Sequence, residues 1–200
     1  MAKIKYTKNE LKSQRDALAR FQRYLPTLQL KKQQLQMEMR KMDKKIAEKR
    51  DEEERARADL ADWIDLFSEP IEFEQYLKLG EIQTATGNIA GVRIPLLNDL
   101  VFERSEVDLF ATPAWLDDGL HVLEQLLRLR VELGILREQK RLLNAELRTT
   151  TQRVNLFEKV KIPESQQNIR MIRIFLGDQQ TAAVARSKIA KSKSSEQVYA

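Results

Sequence analysis

Few side chains in this 200-residue sequence have the type and spacing that chemistry requires. His121 is the only histidine, so the chain has no His cluster and no His-based catalytic pair. A single histidine in a helical pattern is typical of packing at the edge of a seam. The acidic run Asp51–Glu54 could attract a cation, but it is typical of a solvated helix face. We therefore predict no catalytic residue and no metal site.

The sequence also lacks a phosphate-binding motif and the cysteines that disulfide bonds require. The six glycines are isolated from one another, so no GxxxxGK[ST] loop exists and we predict no nucleotide or other cofactor. There is no cysteine, which is compatible with a reducing compartment. The charged N-terminus is not a secretory signal, and no apolar run is long enough to span a bilayer. We expect a soluble chain without direct membrane insertion, which can still work beside a membrane if a partner sits in one.

The strongest pattern is an apolar heptad seam that occurs twice. A mean repeat of 3.5 residues predicts helices that supercoil left-handedly. The first seam comprises Leu18, Phe21, Leu25, Leu28, Leu35, Met39, Met42, Ile46, Ala56, Leu60, Trp63 and Phe67. The second comprises Val122, Leu126, Leu129, Leu133, Leu136, Leu143, Leu147, Val154 and Phe157.

Two such helices in one chain most simply fold back on each other. The predicted fold class is mainly α: a long antiparallel two-helix coiled coil with a small central tip of β-hairpin and short helix. We predict an N-terminal helix over 1–67 with a kink or break near Pro26. An acidic tip follows over 68–113, then a C-terminal helix over 114–186 that Ile162-Pro163 interrupts. A basic, disordered tail over 187–200 completes the chain.

The tip shows turn signals and short β-like runs. We expect a short helix within 71–80 that stops at Gly80, and strands over 81–86 and 89–94 around a Gly87-Asn88 turn. Residues 97–102 could add a third strand. An isolated hairpin is marginal in water, so this one must pack on the helices or on a partner.

Charge is distributed unevenly along the chain, whose formal net charge is +5. Residues 60–118 contain twelve acidic and three basic residues, so the excess of basic residues lies elsewhere. A fold-back would place the acidic segment at the closed end and the basic termini at the open end. Such polarity favours different partners at the two ends. Apart from Tyr199, the basic tail lacks interleaved aromatic residues, so it could support only sequence-independent charge binding. We predict no nucleic acid among the partners.

The C-terminal third resembles a known family. The stretch Thr151–Pro163, followed by Asn168-Ile169, Ile172 and Leu176, is similar to the D subunit of V-type and A-type ATPases, the central rotor shaft. The run from Asn88 to Pro95 is similar to a short strand in that family. The family-motif positions are Arg153, Val154, Asn155, Glu158, Ile162 and Pro163.

The resemblance implies a non-catalytic shaft that transmits torque between an ATP-hydrolysing ring and a membrane ion-translocating rotor. Its partners would be the catalytic and regulatory ring subunits, the small F subunit of the central stalk and a membrane-side funnel subunit. Candidate ring contacts are Lys8, Lys12, Arg15, Met171, Arg173, Arg186 and Lys188. Candidate stalk-partner contacts are Ile82, Ile89, Val92 and Ile94.

Two other functions fit a helical hairpin with a small β element. A prefoldin-like chaperone or scaffold would assemble with copies of itself. A nucleic-acid-binding arm would use the basic ends, with binding that weakens as salt increases.

Overall fold

The computed structural model describes residues 4–108, 110 and 112–198, with side chains up to residue 194. It is 75% helical and contains one two-stranded antiparallel sheet in the described part of the chain. The elements follow the predicted order of long helix, small central region and long helix. Their bounds are α1 Lys8–Ala61, a 3-10 turn Ile64–Ser68, α2 Phe73–Tyr76, β1 Leu77–Ile89, β2 Val92–Arg104, α3 Leu116–Leu156, a π turn Phe157–Lys161 and α4 Ile162–Val198.

The chain divides into two compact units, of which the first comprises Met1–Leu30 and Thr150–Ala200. The start of α1 pairs there with the π turn and α4. The rings of Tyr6 and Phe175 lie 5.0 Å apart, and those of Phe21 and Phe157 lie 5.1 Å apart. Because position rises in one helix as it falls in the other, the pair is antiparallel. The Thr7 hydroxyl accepts a hydrogen bond from the Glu10 amide and caps α1.

The second unit, Lys31–Thr149, holds the rest of α1, the hairpin and most of α3. Its helices are also antiparallel and are tied by three ion pairs. These join Lys31 to Glu146 at 2.5 Å, Asp43 to Lys140 at 2.5 Å and Lys49 to Glu132 at 3.0 Å. Half-exposed ion pairs stabilise little individually, but each one disfavours a shift of register along the seam.

The seam itself supplies the core of this unit. Leu35, Met42 and Leu143 form one buried cluster, and the hairpin residues Ile89 and Val92 pack against it. These positions belong to the predicted seams, so the heptad pattern identified the buried faces of α1 and α3. The fold class is therefore confirmed, including the antiparallel coiled coil and the hairpin.

The hairpin differs in detail from the prediction. Its turn is Ala90-Gly91, three residues beyond Gly87-Asn88, and β2 continues through the region expected to form a third strand. Ala90 and Gly91 have φ of 52° and 82°, the positive values that a type I′ turn requires. The Asn88 side chain accepts a hydrogen bond from the Gly91 amide, so Asn88 supports the turn from within β1.

An aromatic cluster closes the other end of the second unit. Phe67 lies within 5.6 Å of Trp63, Phe73 and Trp115, measured between ring centroids. Trp63 and Trp115 thus pack on Phe67 at the two junctions between the long helices and the small central region. Helix α3 begins at Leu116, two residues after the predicted start at residue 114.

Three helix predictions need correction. Helix α1 continues through Pro26, so there is no break, although a kink there stays a prediction. The helix does not stop at Ile162-Pro163, because a π turn carries it into α4. Residues 187–198 are helical rather than disordered. Alanine, lysine and glutamine in that tail are strong helix formers, and their intrinsic preference outweighs the low hydrophobicity that suggested disorder.

Two glycines of α3, Gly134 and Gly119, provide a matched test of the packing of the aromatic cluster. We expect Gly134→Ala to raise the free energy of unfolding by up to about 1 kcal/mol, because no atom lies within 4 Å of the added Cβ. We expect Gly119→Ala to be neutral or destabilising, because its Cβ would lie 3.1 Å from the Trp115 ring and 3.3 Å from Phe67. Urea unfolding of both variants measures the contrast. Equal stabilisation by the two alanines would contradict the packing of the aromatic cluster.

Candidate partner-binding surfaces

The four residues proposed to contact a stalk partner have different surroundings. Ile94 is 2% exposed, and Ile89 and Val92 pack against the helix core, so these three side chains are used within the chain. Only Ile82 is exposed, at 42%. Strand alternation alone could not show which of these four side chains are buried, because a hairpin that packs on helices buries positions on both strands.

The exposed apolar surface of the hairpin consists largely of other residues. Leu79, Leu96 and Val101 are each 40–41% exposed, similar to Ile82. Leu96 is held beside Gly87, where an added Cβ would lie 2.6 Å from the Leu96 Cδ1. Of these three, only Val101 lies in a run that the sequence marked as a possible strand, because Leu79 lay in the predicted short helix and Leu96 lay between two runs.

The candidate ring contacts are all exposed. Arg15 and Arg173 line one groove between α1 and α4, together with apolar side chains such as Leu18 and Ile174. Lys12 and Lys8 lie about one and two turns, respectively, before Arg15 on α1. Met171 is 38% exposed on α4, and Arg186 and Lys188 lie farther along the same helix. The first unit thus combines basic groups from both ends of the sequence on exposed helix surfaces.

The family-motif positions surround the π turn. Arg153 and Asn155 are exposed at the end of α3, and Glu158 is exposed within the turn. Val154 is 3% exposed and belongs to the core. Ile162 is half-buried and Pro163 exposed at the start of α4.

The π turn accommodates one extra residue in the heptad pattern. From Val122 to Phe157 the gaps between seam positions are four, three or their sum of seven. Continued unchanged, this pattern would bury Glu164, Asn168 and Met171, but Glu164 and Met171 are exposed. Ser165, Ile169 and Ile172, each one position later, are buried, and Asn168 is buried beside them. A π turn holds about one residue more than an α turn, and it lies where this phase change occurs.

Pro163 helps to explain why the extra residue is accommodated at this place. Proline lacks the amide proton of a regular helix and crowds the carbonyl four residues earlier. Within the turn, the Ile162 amide bonds to the Phe157 carbonyl, five residues back. The sequence contained a signal for this turn: the one-residue phase change of the seam immediately around a proline.

Several charged side chains form ion pairs between or within the helices. Hydrogen bonds from Lys49 to Glu52 and then Glu132 raise the pKa of the Lys49 ammonium, which keeps the pair between α1 and α3 charged. Within the described residues, no group of three or more metal-ligating side chains is close enough to hold an ion. No helix in the described part of the chain is long and apolar enough to cross a bilayer.

Comparison with known proteins assigns the chain to a family. The family model for the ATP synthase D subunit matches residues 10–192. The chain belongs to this family. It is 50% identical over 192 residues to the V-type ATP synthase D subunit of Borreliella burgdorferi, covering 96% of this chain and 95% of that protein.

More distant relatives carry the same name. The V-type ATP synthase D subunit of Chlamydia pneumoniae is 36% identical over 193 residues, covering 95% of this chain and 92% of that protein. That of Chlamydia muridarum is 36% identical over 195 residues, covering 96% of both. The resemblance predicted from the C-terminal third therefore extends over nearly the whole chain. Membership of this family makes the chain a component of a multi-subunit rotary ATPase. The comparisons give no support to the scaffold hypothesis or to the nucleic-acid hypothesis.

Proposed function

We propose that the chain is the non-catalytic central shaft of a V-type rotary ATPase and transmits torque between its ATP-hydrolysing ring and its membrane rotor. The observation that carries this proposal is the pairing of long antiparallel helices in each unit. Apolar seams hold the pairs, and in the second unit three cross-helix ion pairs oppose slippage. A shaft must resist such slippage, because torque is lost wherever one helix slides past the other.

The partners follow from the two kinds of surface. The basic residues of the first unit would bind the catalytic and regulatory ring subunits. The exposed hairpin residues and the acidic segment around the aromatic cluster would bind the small F subunit of the central stalk and the membrane-side funnel subunit. The chain would then lie in the cytoplasm and reach the membrane only through the complex.

The first test is assembly. The tagged chain should co-elute with the ring subunits in gel filtration and should bind no nucleotide by itself. Failure to co-elute, with the chain folded by circular dichroism, would remove the shaft proposal. Self-assembly into a multimer would instead favour the scaffold.

Neutralising the basic contacts tests the proposed ring surface. We expect the combined replacement of Lys8, Lys12, Arg15 and Arg173 by glutamine to weaken ring binding at least about tenfold at low salt. The loss should shrink as salt rises, because exposed charges are screened. Titration of the labelled chain with the purified ring measures the affinity.

The matched control removes four exposed basic side chains from the second unit: Lys45, Arg50, Arg55 and Arg130. It changes the net charge equally and should leave ring affinity within about twofold. Equal losses in both variants would show that net charge, rather than this surface, governs binding.

A further inference from the structure

The two outer edges of the hairpin are not equivalent. Ile89 and Val92 flank the two-residue turn, so they form a hydrogen-bonded pair. Pairs alternate along an antiparallel ladder between hydrogen-bonded and non-hydrogen-bonded types. The pairs Asn88–Arg93, Thr86–Pro95 and Thr84–Leu97 are therefore non-hydrogen-bonded, and their backbone groups point away from the partner strand.

The outer edge of β2 is contacted by α3 at Pro95. Pro95 has no amide proton, and it occupies a position where that proton would point outward, which is where strands tolerate proline. Its carbonyl accepts a hydrogen bond from the Gln139 side chain, which is 4% exposed on α3. A buried glutamine thus satisfies the one outward backbone group at this position.

The outer edge of β1 is open. Thr84, Thr86 and Asn88 are exposed, and the sheet formed by the described residues has no strand beyond β1. Each residue directs one amide donor and one carbonyl acceptor outward. Natural edges are usually protected by charge, proline or a bulge. Both register shifts of this hairpin precede Thr84, and residues 83–89 contain no charge and no proline.

We infer that the Thr84–Asn88 edge of β1 binds an extended strand of another subunit of the complex. The identity of the partner as another subunit of the complex rests on the proposed function. The added strand would pair its backbone with Thr84, Thr86 and Asn88, which supplies affinity by strand addition. The edge carries threonine and asparagine and no charge, so the matching strand is uncharged over about five residues.

Hydrogen exchange tests the pairing directly. The amides of Thr84, Thr86 and Asn88 should exchange fast in the isolated chain and at least about tenfold more slowly in the assembled complex. The amides of Ala85, Gly87 and Ile89 point into the hairpin and should be slow in both, which controls for the integrity of the ladder. Equal exchange of the outward amides in the two states would overturn the inference.

Thr86→Pro removes one outward donor while leaving the ladder bonds in place. We expect it to weaken assembly at least about tenfold, while Thr86→Val, which keeps the amide, stays within about twofold. Slow exchange at Ala85 and Ile89 in the proline variant verifies that the hairpin still forms.

The outcomes separate this inference from the shaft proposal. A chain that assembles normally with Thr86→Pro, and whose edge stays unprotected, removes the inference and leaves the shaft. A chain that never joins the ring removes the shaft itself. An isolated chain that sediments as a dimer, and that Thr86→Pro converts to monomer, would show pairing with a second copy and overturn the assignment to another subunit.

Discussion

Leu133→Pro should abolish ATP-driven ion pumping while the ring continues to hydrolyse ATP. Leu133 is 1% exposed within α3, so the substitution removes a buried side chain together with a helix hydrogen bond. Loss of a buried leucine costs about 2–5 kcal/mol, and an internal proline costs about 3 kcal/mol. The helix pair would then no longer withstand torque. Parallel assays of ATP hydrolysis and ion uptake in reconstituted vesicles measure the loss of coupling.

Leu133→Met is the matched control, because it conserves volume and usually costs less than about 1.5 kcal/mol. It should pump normally. Circular dichroism and co-elution establish whether the proline variant still folds and assembles. If an assembled Leu133→Pro complex pumps as well as the methionine control, torque does not pass through this helix pair.

Deletion of Val160 should be tolerated, whereas deletion of Asn144 should destabilise the chain severely. Without Val160, the seam positions Ser165, Ile169 and Ile172 move one place earlier and continue the upstream heptad. Deleting Asn144, which is exposed on α3, rotates the seam that follows it by about 100°. Residue 144 lies within a regular stretch of α-helix, so the deletion does not remove an extra residue as it does in the π turn. Several core side chains would then leave the seam, each with a cost of about 1.5–3 kcal/mol.

Both deletions are best made in a Pro163→Ala background, because the proline would otherwise oppose a regular helix. We expect the melting temperature to change by less than about 4 °C for the Val160 deletion and to fall by more than about 10 °C for the Asn144 deletion. Calorimetry measures both values. Comparable losses would show that the π turn does more than absorb an extra residue.

Much of the fold could be predicted from the sequence, because a heptad seam specifies its own buried face. Leu35, Met42 and Leu143 were in the predicted seams and are in the core. The errors arose where two signals competed. Pro163 predicted an interruption, but the phase change of the seam allowed a π turn, and the helix continued.

The candidate contact surfaces were less predictable. The basic candidate ring contacts are exposed, as the cost of burying lysine and arginine favours. Ile94 and Ile82 could not be distinguished in the sequence, because both are isoleucines in β-like runs. Packing against the helices buries the first and leaves the second exposed.

The sequence by itself determined the paired helices, their apolar seams and the family. These depend on residue type and spacing along the chain. Only the tertiary structure decided which hairpin residues are free, which strand edge is contacted by Gln139 and which edge is open. The physical reason is that exposure and backbone pairing depend on what packs against a segment, and those neighbours are distant in sequence.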